Sequence, residues 1–348
     1  MLKSIWIGFI KLYIKAGLYF YVKQIKVSGL ENIPKKGAVL FAPNHPNGLI
    51  DPLIITTHNT RSSYFLVRAA AFKNPFVKKI LGTLNLMPIY RIRDGKNQLS
   101  KNNEIFNTCF ELLNKQESLM IFPEGSHGRV RKIRPISKGF TRILFGAIDK
   151  YPDLKITIIP VGLTYQNASV FPSKVGLIYG KPILTNDFYN PDELITSTNN
   201  LKNKLKESLE RITVSIPLEK NYEETLAKLN EANIDFTDVN KVNSIIRNNK
   251  KTSAKKKLNF IKPLFYLILI NSILPYSIWK LASKKVDEIE FVDTFRFGLG
   301  IVIFPLFYLL HSLVVKYFYG GKIALIYFVI SFLIVLIYTK LSAINSEE

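Results

Sequence analysis

Ala38-Val39-Leu40-Phe41-Ala42-Pro43-Asn44-His45-Pro46-Asn47-Gly48-Leu49-Ile50-Asp51-Pro52 is the stretch on which the fold turns. Ala38–Ala42 is a short, unbroken apolar run, the pattern of a strand buried on both faces. Pro46 and Gly48 then mark a loop. Asp51-Pro52 has the composition of a helix start, with Asp as N-cap and Pro at the first helical position. Outward from this unit the same texture recurs. Further apolar runs at Tyr64–Val67, Leu119–Phe122, Ile156–Leu163 and Val175–Tyr179 read as strands, and Asn74–Leu81, Asn102–Lys115 and Lys138–Lys150 as helices. Such alternation implies an α/β fold, a central mostly parallel or mixed sheet flanked by helices. There is no internal repeat.

The two ends of the chain differ from this middle. Residues 1–36 carry seven Lys and one Glu, interleaved with Trp6, Phe9, Tyr13, Tyr19, Phe20 and Tyr21. A lysine every few positions suits a helix lying in a headgroup region better than one crossing a bilayer. An amphipathic helix packed on the domain is the other reading. Lys11 and Lys15 interrupt the apolar stretch and no small-residue cleavage site follows, so a secretory signal is not expected. Residues 191–258 are polar and helix-prone and end in Lys250, Lys251, Lys255, Lys256 and Lys257, close to Lys262. Three uncharged apolar segments follow, Pro263–Trp279, Phe297–Val315 and Ile323–Thr339, of about 17, 19 and 17 residues, near the length that spans a membrane. The positive-inside rule places both the 250–262 cluster and the 280–285 loop on the cytoplasmic side. The first segment, which contains Asn271 and Pro275, then either crosses fully or dips in and returns. The expected organisation is an interfacial helix over 1–24, a catalytic domain over 25–190, a polar helical linker over 191–258 and membrane segments over 259–341.

Composition narrows the function. The net charge of +22, from 48 Lys and Arg against 26 Asp and Glu, predicts attraction to polyanions. Apolar residues make up 47% of the chain and concentrate at its ends, which favours a membrane over nucleic acid. One cysteine, Cys109, excludes an internal disulfide and a Cys-based metal site, and four histidines without paired ligand spacing argue against zinc. No metal and no cofactor is expected.

Three stretches carry chemistry. His45 stands at the end of a strand, in a loop, where a side chain faces a cleft. A nearby Asp51 can accept its ring N–H, fix the tautomer and stabilise an imidazolium. His45 as a plain polar loop residue beside a capping Asp51 is the bland alternative. Phe122-Pro123-Glu124-Gly125-Ser126 also follows an apolar strand, and Gly125 allows a tight turn with exposed N–H groups, a common anion-binding arrangement. Arg129, Arg131, Lys132, Arg134, Lys138 and Arg142 come next, with no acid in 129–142. This is either a phosphate-binding loop or a solvated charged one. Leu86–Arg93 reads as a short strand ending in Arg91 and Arg93 on one face. A serine elbow is missing, since Glu124-Gly125-Ser126-His127-Gly128 lacks the first glycine of that motif.

The order Asn44-His45…Asp51, then Pro88-Ile89-Tyr90-Arg91, then Phe122–Gly125, then Ile159-Pro160-Val161-Gly162 resembles the four motif blocks of the glycerol-phosphate and lysophosphatidate acyltransferase family. It covers about residues 25–190. The resemblance implies that His45 is the general base for an acceptor hydroxyl, with Asp51 orienting it. It further implies that Asn44, Arg91, Glu124, Gly125, Ser126 and Lys138 contact substrate, the last as half of the basic-Gly pair Lys138-Gly139. Ile159–Gly162 would shape the acyl or acceptor pocket. Five residues separate His45 from Asp51 where the usual spacing is four. That is similar to a subgroup including the fungal glycerol-3-phosphate/dihydroxyacetone-phosphate acyltransferases. Positions i and i+6 lie on opposite sides of a helix, so the motif must straddle a loop–helix junction.

The expected protein is an integral membrane acyltransferase of phospholipid synthesis, its catalytic domain on the cytoplasmic face. Glycerol-3-phosphate or dihydroxyacetone phosphate is the expected acceptor. Acyl-CoA, acyl-carrier protein or acyl phosphate is the donor, the bilayer a partner, and nucleic acid not one. Alternatives are a lysophosphatidate or other lysolipid acceptor, and a non-catalytic lipid-binding membrane protein.

Overall fold

The computed structural model describes residues 2–72, 74–90, 102–218, 221–248 and 259–344, without the side chains of Phe76, Val77 and Ile80. Eight strands form one sheet: β1 (Gln24–Ser28), β2 (Ala38–Pro43), β3 (Tyr64–Arg68), β4 (Leu86–Ile89), β5 (Ser118–Met120), β6 (Ile156–Tyr165), β7 (Lys174–Tyr179) and β8 (Ile183–Leu184). Their order is β1-β7-β6-β2-β5-β3-β4, with β8 on β6. Pairing is parallel except where β6 meets β7 and β8. The mostly parallel sheet is the one expected. Strands β1 and β8 were not foreseen, because their half-exposed residues lack a continuous apolar run.

β2 lies between β6 and β5, and its alternation divides the core in two. Ala38, Leu40 and Ala42 face one cluster with Cys109 and Leu113 of α4 (Asn102–Asn114) and Phe140, Ile143 and Leu144 of α5 (Gly139–Lys150). Burial pushes the Cys109 thiol up to about 12, which leaves it an inert core residue. Val39 and Phe41 face the other cluster. There they meet Leu18 of α1 (Leu2–Tyr21) and Ile50, Ile54 and Ile55 of α2 (Ile50–Thr57). Helix α3 (Pro75–Thr83) packs beside β4.

The segment expected to be a linker contributes to the folded body. In α6 (Leu194–Ile212), Leu201, Leu205 and Leu209 recur at helical spacing and are fully buried in the first core cluster. Helices α7 (Tyr222–Glu231) and α8 (Val239–Arg247) close a third cluster with Val214, Ile216 and Phe236. The side chains of Asn221 and Asp238 accept from backbone amides in the first turn of α7 and α8 respectively. The lysines at 250–257 lie outside the described residues.

Among the described residues two helices are long and apolar enough to cross a membrane, α11 (Val292–Tyr319) and α12 (Gly321–Leu341). Before them α9 (Lys262–Asn271) and α10 (Ile273–Ser283) meet at 95°, a bend that fits a broken span as well as a segment dipping in and returning. Polar side chains gather at this break. Ser272 Oγ and Tyr308 OH lie 2.6 Å apart, while Asn271 donates to Ser331 and accepts from Tyr327, each at 3.0 Å. Such bonds satisfy groups that hydrocarbon leaves unpaired. The α11–α12 pair is a hairpin turning at Gly320, and both of its open ends meet the sheet-bearing body. Phe297 of α11 joins the second core cluster. At the end of α12, Thr339 donates to Phe20 O at 2.8 Å and Lys340 to Val22 O at 2.9 Å, capping carbonyls at the end of α1. Leu2, Ile5, Phe9 and Leu12 form an exposed apolar stripe along α1.

Truncating Leu205 to Ala is expected to lower unfolding stability by about 2–5 kcal/mol. Ile195→Ala, at a position 81% exposed on the same helix, is expected to change it by less than about 0.5 kcal/mol. Denaturant midpoints of the detergent-solubilised full chain read the difference.

Candidate active site

Sheet topology gathers the site. β2, β5 and β6 run parallel to one another, so the loops after β2 and β5 and the end of β6 emerge at one edge. In open α/β sheets that edge is where ligands bind. His45 follows β2, Glu124 follows β5, and Tyr165 closes β6.

Asp51 is the centre of the arrangement. It is fully buried, and its Oδ2 lies 2.8 Å from His45 Nδ1 and accepts from Asn47 N at 2.7 Å. Oδ1 accepts from Tyr165 OH at 2.7 Å. A carboxylate only accepts, so Nδ1 carries a hydrogen, and in the neutral ring the lone pair then lies on Nε2. Burial, then the charge of Asp51, holds the Tyr165 phenol well above its ordinary value, so it remains a donor. The His45 ring is fixed from another side by Phe122, stacked at 4.0 Å between centroids, with His127 edge-on at 5.7 Å. The five-residue spacing works because residues 44–49 form a loop before α2. Gly48, at φ +42°, takes the left-handed turn within it. Leu49 is the N-cap and Asp51 lies in the first turn, one step inside the helix and not at the cap position expected for it.

The Glu124 turn is built differently from the expectation. Gly125 sits at φ +70°, but its N–H donates to Phe122 O at 3.1 Å within the turn. Glu124 is held by Arg134, whose Nε donates to Oε2 at 2.6 Å. Arg134 also donates to Ser126 Oγ at 2.9 Å and, at 3.5 Å, to His45 O. Burial pushes the Glu124 carboxyl up, with Arg134 and then His45 pulling it down. Glu124 and Ser126 thus hold Arg134, and Arg134 joins the second loop to the first.

A cavity of about 310 Å³ opens beside His45, lined by Asn44, Glu124, Arg129, Arg131, Lys132 and Tyr165 and closed by Tyr222 and Leu226 of α7. Arg129 donates to Ala168 O at 2.8 Å. Arg131 donates to Tyr165 O and Gln166 O at 2.9 and 2.8 Å, and lies 3.7 Å over the Phe236 ring. Carbonyl partners orient these guanidinium groups. Lys132 has no ion-pair partner among the described residues. Arg129, Arg131 and Lys132 share this wall with Glu124 and Glu223, and guanidinium and ammonium groups are the side chains that hold a phosphate.

Of the residues expected at the site, His45, Asp51, Asn44, Glu124, Gly125 and Ser126 converge. Asn44, though on the cavity wall, continues the sheet: its side chain donates to Leu163 O at 3.0 Å and accepts from Leu163 N at 2.7 Å. Lys138 is exposed at the N-cap of α5 and does not line the cavity. Arg91 lies outside the described residues. Tyr165, Asn47 and α7 carried no local signal, because chain segments distant in sequence bring them there. His127, Glu288 and Glu290 bring ligand atoms within 4.8 Å of one another, the place among the described residues where a cation could be held. His127 Nε2 is 3.1 Å from Glu288. Burial, followed by the neighbouring His45, lowers the His127 pKa.

A strand-edge histidine tied to a buried carboxylate beside a cavity lined by cations is an arrangement that can take a proton from a hydroxyl. Residues 24–164 match the family model described as Acyltransferase. The chain is 32% identical over 120 residues to glycerol-3-phosphate O-acyltransferase 2 of Saccharomyces cerevisiae, a match covering 33% of this chain and 16% of that protein. It is 26% identical over 178 residues to a chloroplastic 1-acyl-sn-glycerol-3-phosphate acyltransferase of Brassica napus, covering 50% and 48%. The crystal structure of the 1-acyl-sn-glycerophosphate acyltransferase PlsC from Thermotoga maritima superposes with a TM-score of 0.43 at 20% identity, over 59% of this chain and 80% of that one. The chain thus matches less than half the length of these two curated relatives.

Arg134→Met leaves the Glu124 carboxyl buried without its partner and is expected to cost about 3–5 kcal/mol of stability. Arg134→Lys recovers only a fraction of that, since one ammonium cannot reach both Glu124 and Ser126 as the planar fork does. Thermal unfolding of the three proteins side by side checks the order.

Proposed function

We propose that this protein is a membrane-bound acyltransferase that moves a fatty acyl group onto the hydroxyl of glycerol-3-phosphate or dihydroxyacetone phosphate. The observation that carries it is His45, tied to the buried Asp51, on the wall of the cavity that Arg129, Arg131 and Lys132 also line. Neutral His45 takes the acceptor's hydroxyl proton on Nε2 as that oxygen attacks the acyl carbonyl. The imidazolium so formed is stabilised by Asp51, and its proton is then available to the leaving thiolate or phosphate. A positioned base of this kind contributes about 10²–10⁴-fold. Lys132 with Arg129 and Arg131 holds the phosphate so that the hydroxyl is presented to His45, a positioning effect. Yeast relatives named as glycerol-3-phosphate acyltransferases support the acceptor. Relatives named for the monoacylated acceptor support lysophosphatidate as the second reading.

A second cavity, of about 600 Å³, lies between α1 and α9–α12 and is lined almost wholly by apolar and aromatic side chains. Ala168 lines the basic cavity while Ser169, Val170 and Phe171 line this one, so the two adjoin across one turn of chain. We assign it to the acyl chain. Its walls come from the helices that carry the membrane contacts: α1 in the interface through its exposed stripe, α9–α10 dipping in, α11 and α12 crossing. The side of the catalytic body carries Lys262, Lys280, Lys284, Lys285 and Lys340, while the hairpin tip carries Lys316 and Lys322 beside Tyr317, Phe318 and Tyr319. That asymmetry supports a cytoplasmic catalytic domain.

With the purified chain in anionic liposomes and a long-chain acyl-CoA, phosphate-bearing acceptors are expected to be acylated at least about 10²-fold more efficiently than glycerol, from the loss of charge-assisted bonds worth about 1.5–3 kcal/mol each. Equal use of glycerol would overturn the assignment of the basic cavity. Gly300 lines the apolar cavity, and a Cβ there meets nothing within 4 Å. Gly300→Leu is expected to lower kcat/KM for long acyl chains relative to short ones, read from a chain-length series of donors.

A further inference from the structure

We propose that Asp293, outside the segment that matches the family, is a positioning residue through which the α11–α12 hairpin holds the active-site loop in working geometry. The proposal rests on the acyltransferase reading above and extends it to a region of the chain that no motif covers.

Asp293 lies in the first turn of α11 and is 3% exposed. Its Oδ2 accepts from Asn47 Nδ2 and from Ser169 N, both at 2.8 Å. Its Oδ1 accepts from Tyr21 OH, with Arg296 Nη1 at 3.4 Å. Arg296 in turn donates to Ser169 O at 3.0 Å. One buried carboxylate therefore joins α1, the loop after β2, the β6–β7 connection and α11. A carboxylate so placed also sits favourably at the positive end of its helix.

Asn47 makes this junction bear on the base. It is fully buried, donates its backbone N–H to Asp51 and donates its side-chain N–H to Asp293. A single residue thus spans the carboxylate that orients His45 and the carboxylate that anchors α11. The next two residues of the loop are set by the same helix start. Gly48 approaches so closely that a Cβ would come within 2.6 Å of Glu290 O and 2.8 Å of Thr294 Oγ1. Leu49 N donates to Thr294 Oγ1 at 3.0 Å. Residues 47 to 49 are held by residues 290 to 294, not by the sheet.

Through α11 the loop is tied to the bilayer. A helix of 28 residues measures about 42 Å at 1.5 Å per residue, against about 30 Å of hydrocarbon. The first turns of α11 can therefore stand clear of the lipid core while the rest crosses it. Seating that helix fixes the loop at a set height above the membrane, where a lipid-borne acyl chain arrives. A catalytic body released from its hairpin loses acceptors for Asn47 Nδ2 and Leu49 N, and with them the geometry of the loop around Asp51.

The test uses the full chain in liposomes, comparing wild type with Asp293→Asn and with the milder Thr294→Val. Two readouts are taken: kcat and KM for glycerol-3-phosphate, and mass-spectrometric hydrogen exchange of peptides spanning 44–51 and the strands 38–43 and 156–165. The expected result is a kcat lowered by up to about 10²-fold, as a small misplacement of reacting groups produces. KM stays within about threefold, and faster exchange is confined to 44–51, weaker in Thr294→Val. Unchanged exchange at 44–51 in both variants overturns the proposal. So does faster exchange across all three segments with kcat and KM failing together, which is general unfolding. If wild type transfers no acyl group to any acceptor, the proposed function fails, while the exchange pattern still decides whether α11 holds the loop.

Discussion

A buried carboxylate with three donors is the constraint to which the rest of the site answers. Asp51 is removed from water, and an unpaired charge in that position is costly. His45, Asn47 and Tyr165 supply the donors, from the loop after β2, the same loop two residues on, and the end of β6. Satisfying Asp51 requires β2 and β6 to be paired in register, α2 to start at Ile50, and the loop to turn left-handed at Gly48. The catalytic geometry is thus a by-product of burying one charge correctly. Arg134 does the equivalent for the neighbouring loop, tying the chain after β5 to the chain after β2 through Glu124, Ser126 and the His45 carbonyl.

Much of this was legible in the chain because it is local. Ala38–Pro43 and Ile156–Tyr165 are nearly continuous apolar runs and read as central strands. The position of His45 after such a strand, with Pro and Gly following, placed it at a cleft. The length and composition of Phe297–Val315 and Ile323–Thr339 read directly as helices of membrane dimension. What stayed hidden is non-local. Tyr165 was one more residue at the end of a strand until the sheet order brought it over Asp51. The stripe Leu201, Leu205 and Leu209 was diluted by Asn, Lys and Glu, so a core helix passed for a linker. Lys138, expected at the site as half of the Lys138-Gly139 pair and one of the cations after Glu124, stands at the start of α5 and is not among the residues lining the cavity. Arg131, one of many cations in 129–142, is placed by the carbonyls of Tyr165 and Gln166 and by the Phe236 ring, all distant from it in sequence.

The two cavities divide the chemistry by polarity. One has His45, Arg129, Arg131 and Lys132 among its lining residues, the other is lined mainly by aromatic and aliphatic side chains, and residues 168 and 169 stand between them. A reaction joining an anionic acceptor to a greasy donor needs that division, and needs both compartments at a bilayer surface. The hairpin root in the second core cluster, through Phe297, gives the catalytic body and the membrane helices one shared interior.

The most direct measurement is the turnover of purified protein with His45 replaced by Ala, against wild type, in liposomes with acyl-CoA and glycerol-3-phosphate. Retention in the bilayer and thermal unfolding are recorded alongside. A base at His45 requires kcat to fall by at least about 10²-fold, the contribution of a positioned proton acceptor, while the protein stays folded and membrane-bound. Turnover within a few-fold of wild type would contradict it, for then the proton leaves the acceptor by a route that does not pass through the imidazole held by Asp51.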